Sequence, residues 1–448
     1  MSHVASEAAV AARLDGLPVG RFHYRMIFLI GAGLFLDSFE IALAASVLAA
    51  LLSDGWSTLS LNSLFISVTF AGFIVGAWFS GILGDRLGRR FCYQINLALF
   101  GFASLAAAFM PNMELLIALR FLMGIGMGGE LVLGFATLSE FVPPNKRGRL
   151  VALLSLIAQS AVFVCALLAL WVIPNLGWRW MFGLVGVAAI AIWLARKNMA
   201  ESPRWLASRG RHEEAHAIID DIERQLGVGG QDSERKATPI SAPLTRSSVT
   251  DLMLPGRRRV LGVGIAIMVI IQTCLYGFVS WIPTLLVQQG MDIVKSLHWN
   301  MVMTLGGPAG GILALLLVDR VGRKGILVVA AIIAAALGML YPRLDVESWV
   351  MMTGFLLLTA IYVIVVVGQA IYLSELFPTR LRMRGTGVCN TVARIIATFI
   401  PFIVPALYAA GGMQLVTSVL SGCLLAFALI VAFAGHETRK RSLEESSS

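Results

Sequence analysis

Charge is scarce in this chain. Only 14% of its 448 residues are Asp, Glu, Lys or Arg, against about 25% in an ordinary soluble domain. Hydrophobic residues make up 58%, and the mean hydropathy is +0.81. A soluble globular class is excluded on that balance. Cysteine is equally sparse. Cys92, Cys165, Cys274, Cys389 and Cys423 fall in or beside apolar stretches without paired spacing, so neither a disulfide framework nor a cysteine zinc site is expected. His3, His23, His298 and His436 lie at span edges or in tails, which argues against a histidine-based site inside a membrane. His212 and His216 do fit an H-E-x-x-H pattern. No third ligand accompanies them, and their segment reads as a short surface helix. No metal or cofactor is expected, and with no nucleophile–base cluster the chain does not read as an enzyme. A secretory signal peptide is not expected either: the first 25 residues are polar and charged, and the first apolar stretch is too long for an h-region.

What the sequence has is apolar length. A membrane-spanning helix needs about 20 predominantly apolar residues, and about twelve segments qualify. They begin near Met26, Leu59, Phe91, Met113, Leu150, Trp178, Val260, Leu297, Gly325, Glu347, Gly385 and Met413. The expected fold class is therefore an all-α membrane protein.

The formal net charge is +9, and its placement carries more information than its size. Arg86, Arg89, Arg90, Lys146, Arg147 and Arg149, like Arg320, Arg323, Lys324, Arg380, Arg382 and Arg384, occupy connections of one parity. The opposite connections carry little besides Arg179, Lys295 and Arg343. The positive-inside rule assigns both termini and the basic loops to the cytoplasm of a multi-pass inner-membrane protein. Basic residues dispersed among short turns are not a nucleic-acid surface. The expected partners are the bilayer and a small molecule, with the protein a monomer.

The chain also repeats itself. Gly84-Asp85-Arg86-Leu87-Gly88-Arg89-Arg90 has an echo in Val318-Asp319-Arg320-Val321-Gly322-Arg323-Lys324. Ser139-Glu140-Phe141-Val142-Pro143 has one in Ser374-Glu375-Leu376-Phe377-Pro378. Duplicated bundles around a central site are a common transporter architecture. The expected units are a six-helix bundle over 1–196, a linker over 197–258 and a second bundle over 259–448. Within the linker, Ala215, Ile218, Ile219, Ile222 and Leu226 recur at helical spacing, and Gly227 through Thr245 reads as a flexible connection. Small residues four apart (Gly72 and Gly76, Gly124 and Gly128, Gly307 and Gly311) suit close helix approach in lipid, either as static packing or as sliding surfaces.

Ionisable residues at bilayer depth cost about 2.5–3.5 kcal/mol each on insertion scales, so each is a functional candidate. Asp37 and Glu40 are three apart on one face of the first span. Arg120 and Glu130 share the fourth span, and Arg394 lies in the eleventh. A buried carboxylate that alternately meets and leaves a guanidinium can load and release a proton. Asp37, with Glu40, opposite Arg120 is the expected coupling group; a permanent ion pair would use the same residues. Glu130 faces either a cavity or a partner helix. Arg394 has no acidic neighbour within a helical turn, so its partner is another helix or a bound anion. Arg suits bidentate carboxylate recognition. Gln159, Gln272 and Gln369 need polar partners in hydrocarbon, and Tyr276, Trp281, Tyr362 and Tyr372 lie near similar depths. These residues are either packing or substrate contacts.

Together these motifs resemble the major facilitator superfamily of secondary transporters. Gly81-x-x-x-Asp85-Arg86-x-Gly88-Arg89-Arg90 is similar to the signature between its second and third helices, and Arg120-Phe-Leu-Met-Gly124-Ile-Gly126 to its fourth-helix motif. The second copy departs from the signature with Leu315 at the leading glycine. Glu201-Ser-Pro-Arg-Trp-Leu and Glu437-Thr-Arg-Lys-Arg resemble the branch that holds sugar porters, organic-ion transporters and bacterial niacin and aromatic-acid carriers; His436 replaces the proline usual before the second. Asp37-Ser-Phe-Glu40 and Trp281-Ile-Pro283-Thr284-Leu285 resemble the last of these groups. The resemblance implies two pseudo-symmetric six-helix bundles and proton symport of a small organic anion, aromatic or another monocarboxylate, by alternating access. It also implies a cytoplasmic gate of Asp85, Arg89, Glu140, Asp319, Arg323 and Glu375. Sugar or organic-cation transport and, from another class, a ligand sensor are the alternatives. Drug efflux is disfavoured because the glycine-proline signature of its fifth helix is absent from Leu150 to Pro174.

Overall fold

A computed structural model describes residues 2–228, 257–377 and 381–435. Among the described residues there is no strand. Helix α1 runs Ser2–Gly16, α2 Arg21–Ser53, α3 Leu59–Leu87, α4 Arg89–Ala107, α5 Met113–Phe141, α6 Pro144–Leu176 and α7 Arg179–Ala195. A 3₁₀ turn, Arg196–Asn198, leads to α8 (Pro203–Ser208) and α9 (His212–Leu226). The second half comprises α10 (Arg257–Val279), α11 (Ile282–Gln288), α12 (Ile293–Thr304), α13 (Gly306–Val321), α14 (Arg323–Leu340) and α15 (Glu347–Ile364). A π turn, Val365–Tyr372, follows, then α16 (Arg382–Ala397) and α17 (Ile400–Ala434).

Nine of the described helical segments are long and apolar enough to cross a membrane. The others fall short for visible reasons. α7 is apolar but has 17 residues, α4 carries Arg89, Arg90, Gln94 and Asn96, and α16 has 16 residues and carries Arg382, Arg384, Asn390 and Arg394. α17 is interrupted at Gly411-Gly412, where φ reaches +64°, so its first turns continue α16 and its remainder crosses back. Counted with α4, α7 and α16, the described path has twelve helical passages.

Local chemistry sets the helix boundaries. Thr58 accepts from the Leu61 amide at 3.3 Å, Asn112 from Leu115 at 3.0 Å and Asp292 from Val294 at 2.9 Å. Each side-chain oxygen satisfies an amide that the first helical turn leaves unpaired. The duplicated loop repeats in geometry as well as sequence. Gly88 between α3 and α4 has φ +101° and ψ 161°, and Gly322 between α13 and α14 has φ +99° and ψ 157°, a region where a Cβ is strained.

α3 and α5 pack backbone to backbone. A methyl on Gly72 or Gly76 would run into the carbonyls of Phe121 and Ile125, and one on Gly124 or Gly128 into those of Thr69 and Phe73. In the second half the close contact uses Gly306 and Gly310, against Thr359 of α15, while Gly311 has open space around it. That is one residue earlier than the Gly307–Gly311 pairing expected from sequence. Each residue turns a helix by 100°, and four-residue spacing alone does not say which of two adjacent glycine rows meets the neighbour.

The two halves meet through α2 with α11 and α12, α6 with α12 and α13, and α3 with α16 and α17. Several of these contacts involve the segments flanking the 54–58 and 289–292 turns, at the end opposite Gly88 and Gly322. Near that basic-loop end, α1, α8 and α9 form a small cap. Val10, Leu14 and Leu17 bury against Trp205, Leu206, Ala215, Ile219 and Ile222, and Arg13 bonds Asp220 at 2.6 Å and Glu223 at 2.8 Å. The His216 ring faces Arg13 at 3.1 Å. The stretch expected to be a flexible connection lies mostly outside the described residues.

Candidate coupling and substrate site

α2 brings Gly33, Asp37 and Glu40 onto one face, spaced four and three residues apart, against α5. Arg120 of α5 forms an ion pair with Glu40. Its Nε also donates to Thr69 Oγ1 at 3.2 Å, and its guanidinium lies 4.5 Å from the Phe65 ring centroid. The first-span acid paired with Arg120 is thus Glu40. Asp37, expected opposite Arg120, instead lies in electrostatic range of Glu130, Arg196 and Glu40. One turn along α2 separates the two acids, enough to assign them to different guanidiniums.

Glu130 resolves towards a partner helix. Its Oε1 lies 2.5 Å from Arg196 Nη1, in the 3₁₀ turn that ends α7. Arg196 is fully buried. It donates from Nε and Nη2 to the Leu29 carbonyl at 3.0 and 2.7 Å and from Nη2 to Ile30 at 3.3 Å. Its guanidinium sits 4.9 Å from the Tyr93 ring centroid. Gly33 makes room: a methyl there would collide with both the Arg196 guanidinium and the Glu130 carboxylate. Sequence reading missed Arg196 because Arg196-Lys197 at the end of a span looks like one more topology-setting pair. The glycine one turn before Asp37 is the sequence signal that something large occupies that face.

Arg394 of α16 lies where the halves meet. Its guanidinium stands 4.1 Å from the Phe73 ring centroid of α3, and its buried Nη1 has no hydrogen-bond partner among the described residues. Tyr276 of α10 is in electrostatic range of Arg394 and of Tyr362, and packs on Phe70 with ring centroids 4.6 Å apart. A cation is therefore held in an aromatic setting drawn from both halves. Gln272, buried, shares the Tyr276 face of α10 one turn earlier. Gln159 and Gln369 are half-buried. Trp281 is buried, with Nε1 unpartnered among the described residues. Tyr372 is drawn away from this group. Its hydroxyl lies where a Gly435 methyl would be, beside Val431 at the end of α17, because it precedes by one turn the Glu375 that faces the basic loop. Phe70 and Phe73 were not anticipated; they read as ordinary apolar span residues.

At the basic-loop end, Arg89 pairs with Glu140 at 3.2 Å and Arg323 with Glu375 at 3.2 Å. The repeat is preserved at the level of ion pairs. The side chains of Asp85 and Asp319 lie outside the described residues. Glu201 joins the first pair's surroundings: its Oε1 accepts from the Arg89 amide at 2.9 Å and its Oε2 from the Arg90 amide at 3.2 Å, capping α4 from the linker.

Comparison with known proteins agrees with this architecture. The family model described as sugar (and other) transporter matches residues 27–448. The inner membrane metabolite transport protein YdjE of Escherichia coli is 37% identical, over 98% of each chain. The niacin transporter NiaP of Acinetobacter baylyi is 32% identical, over 97% of this chain and 99% of that protein. In structure, the xylose transporter XylE from E. coli in a partially occluded inward-open conformation superposes with a TM-score of 0.76 at 17% identity, covering 94% of this chain and 99% of that one. The chain is a membrane transporter and not an enzyme, and it belongs to the sugar (and other) transporter family of the major facilitator superfamily.

Proposed function

We propose that this protein imports a small organic anion, an aromatic or other monocarboxylate of nicotinate type, together with a proton. The observation that carries this reading is Arg394, a half-buried side chain whose buried Nη1 has no hydrogen-bond partner among the described residues, in an aromatic setting between the halves. A fixed cation without an acidic partner among the described residues favours a carboxylate, which a guanidinium binds bidentately. Phe70, Phe73 and Tyr276 suit an aromatic ring beside it. Gln272, Gln159, Gln369 and Trp281 offer polar groups at neighbouring depths. Asp37, Glu40, Arg120 and Glu130 supply the proton-coupling charges. The relative named as a niacin transporter and the structural neighbour described as a D-xylose–proton symporter are compatible with this assignment.

In this reading the bundles 1–196 and 259–448 rock about the central site, with 197–258 as their cytoplasmic connection. Arg89–Glu140 and Arg323–Glu375 brace the cytoplasmic gate, in which Asp85 and Asp319 take part. Both termini are cytoplasmic and the carrier works as a monomer.

The test is uptake of radiolabelled nicotinate, benzoate, xylose and choline into proteoliposomes under an inward proton gradient. Gradient-dependent uptake of a carboxylate, lost in Arg394→Ala, is expected. Uptake of xylose or choline alone, or carboxylate uptake unaffected by Arg394→Ala, overturns the assignment.

A further inference from the structure

Among the described residues of the N-terminal half, three carboxylates and two guanidiniums are buried near one another, Asp37, Glu40, Glu130, Arg120 and Arg196, none more than 4% exposed; His23, buried near the start of α2, is a further titratable group of that half. Tyr93 of α4 faces the Glu130–Arg196 pair, and Glu140 lies in electrostatic range of Tyr93. Three carboxylates meet two guanidiniums, which leaves one negative charge uncompensated if all are ionised. Low-dielectric surroundings disfavour that charge, and a carboxyl removes it by holding a proton.

The geometry narrows where the proton sits. Glu40 is engaged by Arg120, whose Nε is also held by Thr69. Arg196 spends Nε and Nη2 on the Leu29 and Ile30 carbonyls, so Nη1 is what remains for Glu130. Glu40 accepts from Arg120 through Oε1, whereas its Oε2, Asp37 Oδ2 and both Glu130 oxygens have no aligned hydrogen-bond partner among the described residues, so of the three acids Glu40 alone holds an aligned guanidinium hydrogen bond. Both acids are in electrostatic range of Arg196.

We propose that Arg196 is a positioning residue that fixes coupling at one proton per cycle, holding one of Asp37 and Glu130 ionised while the other carries the proton. This rests on the proton-coupled reading above and deepens it. Loading adds one proton to one carboxylate oxygen and makes a neutral carboxylic acid. The other acid stays ionised within electrostatic range of Arg196. Unloading returns that proton to water on the side to which the halves have opened. Glu40–Arg120 remains paired throughout.

The experiment is infrared difference spectroscopy on purified protein, following the carbonyl stretch of protonated buried carboxylic acid, alongside proton-driven nicotinate uptake. Wild type should show the band. Glu130→Gln leaves two carboxylates with two guanidiniums, so band and gradient drive should both vanish. Arg196→Gln should roughly double the band. The pair Glu130→Gln with Arg196→Gln again has one carboxylate in excess and should recover band and drive, which restored folding alone would not produce. Asp37→Asn has the charge balance of Glu130→Gln and replaces it if that variant does not fold. A band unchanged in Glu130→Gln and Asp37→Asn, or gradient drive persisting in both, overturns the proposal. Wild-type nicotinate uptake indifferent to the proton gradient overturns the coupled reading instead, whatever the band does.

Discussion

Ser63 of α3 donates a hydrogen bond to the carbonyl of Pro401 in α17 at 2.7 Å, joining the two halves across 338 positions of sequence. That carbonyl is available because Pro405, four residues on, has no amide hydrogen to offer it. The contact lies at the end opposite the basic loops, where α2 also meets α11 and α12. It closes the side from which substrate is proposed to enter.

Ser63→Ala should therefore favour the outward-open state. A typical net hydrogen bond contributes about 1 kcal/mol, so the ratio of states should move about fivefold. The apparent KM for external substrate should fall while that for efflux from the inside rises. Equal KM values in mutant and wild type on both sides would show that the bond does not bias the halves.

Gly88 is constrained twice, by its positive φ and by Glu201, whose carboxylate occupies the space of a Cβ. Gly88→Ala should cost roughly 1–3 kcal/mol of backbone strain, since φ +101° with ψ 161° is a region that essentially only glycine adopts, and also displace the cap on α4. In a Glu201→Ala background only the strain remains, so the substitution should lower Tm less than it does in wild type. Additive losses in the double-mutant cycle would mean that Gly88 and Glu201 act independently.

Asp37 and Glu40 should separate into different phenotypes. Glu40→Ala leaves Arg120 buried without its counter-ion, a change that costs about 3–5 kcal/mol, and Tm should drop sharply. Asp37→Asn removes a carboxylate whose Oδ2 had no hydrogen bond; it should spare Tm and counterflow exchange while abolishing gradient-driven uptake. Undiminished gradient-driven uptake by Asp37→Asn would remove it from the coupling role.

The helices were legible because hydrophobic length is a one-dimensional property. The duplicated glycine loops were legible because Gly88 and Gly322 repeat within a fixed motif. Pairing was not. Which acid met Arg120 depended on one helical turn, and whether Gly306 or Gly307 faced α15 depended on a rotation that a pattern of adjacent glycines leaves open. Arg196 escaped notice because burial of a span-end arginine depends on Gly33, some 160 positions away. The docking of α1 on α9 was hidden for a similar reason: Arg13 and Glu223 belong to segments with no shared pattern.

The most direct test of the account is thermal stabilisation of the purified protein by nicotinate, benzoate, acetate, xylose and choline at two pH values. A bound ligand raises apparent stability by mass action. Stabilisation by a carboxylate, stronger at the lower pH and absent in Arg394→Ala, is the predicted result. Stabilisation by xylose or choline alone would contradict an anion site at Arg394.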